Sequence, residues 1–220
     1  MLSTNIVFEK IEYRLGESIP VSITYRNAGG SSVKREDPRK SLNAEMHVVD
    51  RKTKEDFTFT MGKIEVTQLG TDVDEYALVE PIPDDVEIEA EGELSFVADL
   101  NQRLYLRPGE FDCELRDRAI VSNRQTLSIR YTRESVDLLF SLVRDASRDY
   151  SRREWAADWL RKVAPKFDFR LTLDTESAEV KRRNEDANRP VYDAFMKWWI
   201  ANRNSKEVTE KLVDISILAR

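Results

Sequence analysis

Ile19, Val21, Ile23 and Tyr25 alternate with polar Ser22 and Thr24, so an extended chain here has one apolar and one wet side. Runs rich in β-formers recur at Asn5–Tyr13, Ala44–Val49, Phe57–Met61, Lys63–Gln68, Tyr76–Val79, Val86–Ala90, Leu94–Asp99, Phe111–Arg116 and Thr126–Tyr131. Polar turns separate them, including Arg51–Glu55 and the loop Asn27-Ala28-Gly29-Gly30-Ser31-Ser32, which continues into the charged run 34–40. Short strands at this spacing, with no helical period between them, predict an antiparallel β-sandwich rather than a parallel sheet.

The period changes after residue 131. Val136, Leu139, Phe140 and Val143 fall at i, i+3, i+4 and i+7, which predicts an amphipathic helix over Arg133–Ala146. Ser151 with Glu154 reads as a capping box for a second helix, whose apolar face is Trp155, Trp159, Leu160 and Val163 and which stops at Pro165. Residues 172–188 read as a polar stretch, and Pro190 suits the first turn of a third helix carrying Val191, Phe195, Trp198 and Trp199. Ser205 caps a last helix through Val208, Leu212, Ile215 and Leu218. The expected architecture is therefore multidomain, β then α: a sandwich over residues 1–131, then a Trp-rich bundle of three to four helices over 132–220.

Composition sharpens this boundary. All seven glycines lie at or before Gly109, five of the seven prolines lie at or before Pro108, and all four tryptophans lie after residue 131. Charge changes at the same place. Residues 132–220 carry 18 Lys and Arg against 16 Asp and Glu, whereas residues 1–131 carry 17 against 25. Nucleic-acid binding needs clustered cations, so the acidic first part argues against it, and no nucleic-acid partner is expected. No apolar run is long enough to cross a membrane. The start, Met1–Lys10, lacks a basic segment and a signal-like apolar run, so the expectation is a cytoplasmic protein if Met1 is the native start, and an exported one if a leader was removed. A single cysteine, Cys113, rules out an internal disulfide and a Cys-rich zinc site.

Two passages carry resemblances. Leu15-Gly16-Glu17-Ser18-Ile19-Pro20-Val21 with Tyr25-Arg26-Asn27 resembles the early strands of bacterial immunoglobulin-like modules, and Leu106-Arg107-Pro108-Gly109-Glu110-Phe111 resembles the corner that enters a late strand of such modules. Ala156, Trp159, Leu160, Phe167, Phe169, Val191, Phe195, Trp198, Trp199 and Asn202 resemble a segment of HEAT-like helical proteins. That second resemblance spans Trp155 to Asn202 and implies a helix-pair scaffold with protein contacts; it carries no catalytic residue across. One or two helix pairs are fewer than a solenoid needs, so the helical part is expected to pack with the sandwich, the tryptophans helping to weld one rigid body.

Candidate chemistry is sparse. The one histidine, His47, and Cys113 both fall on strands and could form a nucleophilic dyad, but neither has an activating context, and a small core cysteine beside an unrelated histidine is the plainer reading. No Gly-x-Ser-x-Gly is present, and the glycine loop at 27–32 lacks the Lys and the following helix of a phosphate loop. No catalytic residue and no cofactor are expected. Strand parity puts Glu87, Glu89 and Glu91 on one face, a calcium or basic-partner site set against a solvated strand face. The run Lys181-Arg182-Arg183 is interleaved with acids and reads as a solvated face.

Trp155 and Trp159 are i and i+4, whereas the adjacent Trp198 and Trp199 point about 100° apart, so one of that pair is core and the other borders a groove. Trp198, Trp199, Trp155, Lys34 and Arg35 are the candidate partner contacts. These features favour a non-enzymatic protein-binding scaffold or adaptor. Two other readings remain: an inhibitor or regulatory subunit acting through loop Ser31–Leu42, and a carbohydrate or cell-surface binding module.

Overall fold

The computed structural model describes residues 1–61, 83–102 and 104–218. The strands expected at Lys63–Gln68 and Tyr76–Val79 lie outside the described residues. Among those described, β-sheets are followed by four helices; most strand pairs are antiparallel, and β2, the short strand at Glu12–Arg14, runs parallel to its neighbour. The strands are β1 (Leu2–Phe8), β2 (Glu12–Arg14), β3 (Pro20–Asn27), β4 (Val33–Glu36), β5 (Ala44–Asp50), β6 (Phe59–Thr60), β7 (Asp85–Ile88), β8 (Glu93–Asp99), β9 (Gly109–Asp117), β10 (Ile120–Val121) and β11 (Gln125–Arg130). One sheet has the order β1-β3-β8; a second runs β2-β11-β9-β5-β6, with β10 paired to β9; β4 and β7 form a two-stranded ribbon.

The alternation read in the sequence sets which faces are buried. On β3, Val21, Ile23 and Tyr25 are buried, and their cross-strand partners Phe8, Ile6 and Thr4 on β1, and Ala98 and Phe96 on β8, are buried with them. On β5 and β9 the same parity buries Ala44, Met46 and Val48 against Asp117, Leu115 and Cys113. Each such aliphatic or aromatic side chain contributes about 1.5–3 kcal/mol on leaving water.

Two expectations about strands change. The run Asn5–Tyr13 is two strands, β1 and β2, which belong to different sheets. Glu9–Ile11 carries the chain from one to the other, a break that continuous β-propensity does not signal. The charged run after Ser32 is a strand, β4, because β7 pairs with it in register (Val33 with Ile88, Arg35 with Val86) and because the Arg35 charge is neutralised internally.

The helices are α1 (Arg133–Arg144), α2 (Tyr150–Val163), α3 (Ala178–Asn202) and α4 (Lys206–Leu218). Val136, Leu139, Phe140 and Val143 are the buried stripe of α1, as their spacing requires, and Thr132 with Ser135 forms its capping box. The cap of α2 is Asp149 rather than Ser151: its carboxylate accepts from the Arg152 amide at 2.7 Å. An aspartate there also favours the positive end of the helix.

α3 begins twelve residues before Pro190, so the proline lies inside the helix rather than in its first turn. Pro190 sits on the solvent side, and the opposite face buries Asn188, Tyr192, Phe195 and Trp199. That burial offsets a proline cost of about 3 kcal/mol.

The chain divides into two compact units. The first comprises Met1–Glu12, Ser18–Leu104 and Glu110–Ser128; the second comprises Tyr13–Glu17, Tyr105–Gly109 and Ile129–Arg220. In the second, the turn at Gly16 has φ of +90°, and a β-carbon there would meet Leu138 and Leu139 at 3.4 Å, so both conformation and space call for glycine. Its core is aromatic: Phe140 stacks on Phe195 at 4.6 Å between centroids and meets Tyr192 edge-on, and Phe167 and Phe169 close around Phe195.

Candidate functional site

Strand pairing separates the two residues of the possible dyad. Cys113 lies opposite Val48, and His47 opposite Glu114, so the pleat sends Cys113 into the core and His47 to the other face. Cys113 is fully buried and burial pushes its thiol pKa up, the reverse of an activated nucleophile. His47 Nδ1 lies 2.9 Å from the Asp56 carboxylate and 3.0 Å from the Thr58 hydroxyl, and Nε2 lies 3.6 Å from Glu45. Both close contacts fall on one nitrogen, on the sheet face opposite Cys113.

The acidic strand also ends sooner than its sequence implies. β7 stops at Ile88, and Glu91 takes a left-handed turn with φ of 57° ahead of Gly92. Glu87, Glu89 and Glu91 are exposed but do not share one strand face, and among the described residues no group of three or more His, Cys, Asp or Glu could hold a metal.

Lys34 and Arg35 divide sharply. Lys34 is exposed and pairs with Asp85 at 3.5 Å. Arg35 points inward, where its guanidinium pairs with the Asp117 carboxylate and lies 4.8 Å from the Tyr25 ring centroid. Asp117 has no exposed surface and also accepts from the Tyr25 hydroxyl at 2.8 Å. Burial, then the Asp117 charge, drives the Tyr25 pKa up. Arg35 is thus committed to an internal salt bridge and is not presented to solvent as a contact residue.

The tryptophans occupy three different settings, all in the helical unit. Trp199 is buried and its indole N–H donates to Asp137 at 2.7 Å. Trp155 and Trp159 are half-buried; Trp155 lies 6.1 Å from the Tyr105 ring and Trp159 lies 5.7 Å from the Tyr131 ring, whose hydroxyl donates to the Trp159 carbonyl. Trp198 is half-buried beside Phe167 and Phe195, on the same helix as Ile200, which is 64% exposed.

Each half-buried tryptophan carries a cation. Arg152 lies 5.0 Å from the Trp155 ring centroid, Lys162 Nζ 3.6 Å from that of Trp159, and Lys166 Nζ 5.2 Å from that of Trp198. Arg152, Trp155, Trp159 and Lys162 fall at i, i+3, i+7 and i+10, one face of α2. The result is a row of aromatic edges and cations along α2 and past its end.

Several buried polar positions had no sequence signal. Asn188 is buried and its side-chain amide pairs with the backbone of Arg170 in both directions, at 2.8 and 3.0 Å, as a strand would. Arg153, on the face of α2 expected to be polar, is buried; it donates to the Val143 carbonyl and pairs with Glu185. With Arg148, Thr172, Asp174 and Lys181, that pair lines a polar cavity of about 50 Å³. No helix among the described residues is long and apolar enough to cross a membrane.

Fold and site together describe a β-sheet part followed by a helical part that carries all four tryptophans. No family model matches the chain, and no curated protein matches it in sequence. Among solved structures, the alkylpurine DNA glycosylase AlkC of Pseudomonas fluorescens, bound to DNA containing an abasic site analog, is similar at 11% identity and a TM-score of 0.37, over 59% of this chain and 30% of its own. A β-glucosidase of Listeria innocua in complex with isofagomine is similar at 13% identity and 0.36, over 59% of this chain and 16% of its own. The CARDB domain of a Pyrococcus furiosus protein, in complex with di-metal ions, aligns at 10% and 0.31, over 59% and 87%. This chain thus spans less than a third of the glycosylase and of the glucosidase, and values this low define neither a family nor an activity.

Proposed function

We propose that this chain is a non-enzymatic protein-binding scaffold, an immunoglobulin-like sandwich joined to a small HEAT-like helical module, and that the module's tryptophan-bearing surface receives the partner. The observation that carries the reading is the contrast between adjacent tryptophans. Trp199 has a core position and a hydrogen-bonded indole, whereas Trp198 stays half-buried at the surface with Ile200 exposed on the same helix. A rigid aromatic anchor of this kind, already packed on Phe167 and Phe195, loses little entropy when a partner covers it.

The test is affinity capture from the native cell with the wild type and with Trp198→Ala, circular dichroism confirming that both fold alike. A protein held through this face should be lost from the variant, with affinity down by about 30-fold or more, the equivalent of a 2 kcal/mol hot spot. Equal capture by both would remove Trp198 from the interface. Turnover in a broad hydrolase screen, abolished by Cys113→Ala or His47→Ala, would overturn the non-enzymatic reading.

A further inference from the structure

We infer that the partner presents an acidic segment, and that Lys162 and Lys166 receive its carboxylates. This rests on the protein-binding reading and assigns the chemistry of the same face. Several cations of the helical unit meet carboxylates: Arg153 with Glu185, Arg148 with Asp145, Arg189 with Asp186, Lys206 with Glu210, and Lys211 with Glu207. Arg161, one residue before Lys162, holds Glu154, Asp158 and, at 4.0 Å, Asp168.

Lys162 and Lys166 differ, as does Arg144, which lies over the core rings Phe140 and Tyr192. Among the described residues their ammonium groups meet aromatic rings and no carboxylate: Trp159 at 3.6 Å for Lys162, and Phe167 and Trp198 at 5.1 and 5.2 Å for Lys166. A ring face attracts the ammonium without neutralising it, and holds a side chain that would otherwise sample many rotamers. Two positive charges, four residues apart on either side of the α2 end, are thus pre-positioned next to half-buried indoles.

Charge complementarity selects the occupant. Two cations match two carboxylates of a peptide, whose side chains also offer methylenes to the tryptophan edges. They do not match a phosphodiester backbone, whose firm binding takes about six to ten cationic contacts.

The probe is an octaglutamate peptide, titrated into the full chain while tryptophan emission is followed, with octaglutamine and a short oligothymidylate as comparisons. Octaglutamate should bind saturably and change the emission, octaglutamine should not, and Lys162→Gln with Lys166→Gln should weaken binding about tenfold. Near-UV circular dichroism of the double variant should keep the wild-type aromatic signal, because Trp199 and its core are untouched. Absence of saturable octaglutamate binding, binding indifferent to the double variant, or tighter binding of oligothymidylate would each overturn the inference. Capture of a cellular protein that Trp198→Ala loses and the double lysine variant keeps would overturn it while leaving the scaffold role standing. Octaglutamate binding that depends on both lysines would support the acidic site even if no cellular protein were captured, a result that counts against the scaffold role alone.

Discussion

Replacing Asp117 with Ala should be among the most damaging single substitutions in the β-sheet unit. The carboxylate is fully buried and neutralises Arg35, whose side chain is only 10% exposed, while accepting the Tyr25 hydroxyl. Removing one partner of a buried ion pair leaves the other charge desolvated, a cost of about 3–5 kcal/mol. Tyr25→Phe removes only a donor to a charged acceptor, about 1.5–3 kcal/mol. Asp117 Oδ1 is buried with no hydrogen-bond partner, so the site already carries some strain and the lower half of each range is expected. Urea unfolding followed by far-UV circular dichroism measures this directly. With a slope of about 2 kcal/mol/M, a loss of 3 kcal/mol moves the midpoint down by about 1.5 M. The double variant Asp117→Leu with Arg35→Met should recover much of the loss, since an apolar pair removes both charges together. A midpoint shift below about 0.3 M for Asp117→Ala, or strict additivity of Asp117→Ala and Tyr25→Phe, would refute the argument, because groups sharing one buried network must couple.

Asn188→Ala removes the amide that pairs with both backbone groups of Arg170; it should cost about 2 kcal/mol and speed amide exchange at Arg170, read by hydrogen exchange. Glu114, mostly buried, has its pKa held below the ordinary value of 4.5, first by the hydrogen bond from Arg116. A depressed folded pKa contributes stability that is present above the unfolded value and is lost as pH falls through the folded one. The urea midpoint should therefore drop on acidification below about pH 4.5, and Arg116→Gln should flatten that drop; an unchanged acid limb in the variant would rule the pairing out as its source.

Legibility followed the locality of the forces. Val21, Ile23 and Tyr25 on β3, and Val136, Leu139, Phe140 and Val143 on α1, were readable because burial repeats with the period of the backbone itself. The order of sheets followed by helices was readable because glycine, proline and tryptophan segregate along the chain. The start of α3 was misplaced because Pro190 signals a helix start locally, whereas Ser177 caps the helix upstream, and Asn184, Glu185 and Asn188 are held there by Thr172, Arg153 and Arg170. The face of the acidic strand was misjudged because its parity holds only as far as Ile88, ahead of the turn at Glu91.

Of the candidate contacts, the sequence alone determined that Trp198 and Trp199 must diverge, since about 100° per residue is a property of any helix. Only the tertiary structure decided which one is core, through Asp137, a residue 62 positions away that receives the Trp199 indole. The same holds for Arg35. Its charge reads as solvent-facing wherever it stands in a list of residues, and becomes an internal one because Asp117, 82 positions on, is buried beside it. Periodicity is written in the chain; the identity of a buried polar partner is not, because it depends on which distant segments the folded backbone brings within hydrogen-bonding distance.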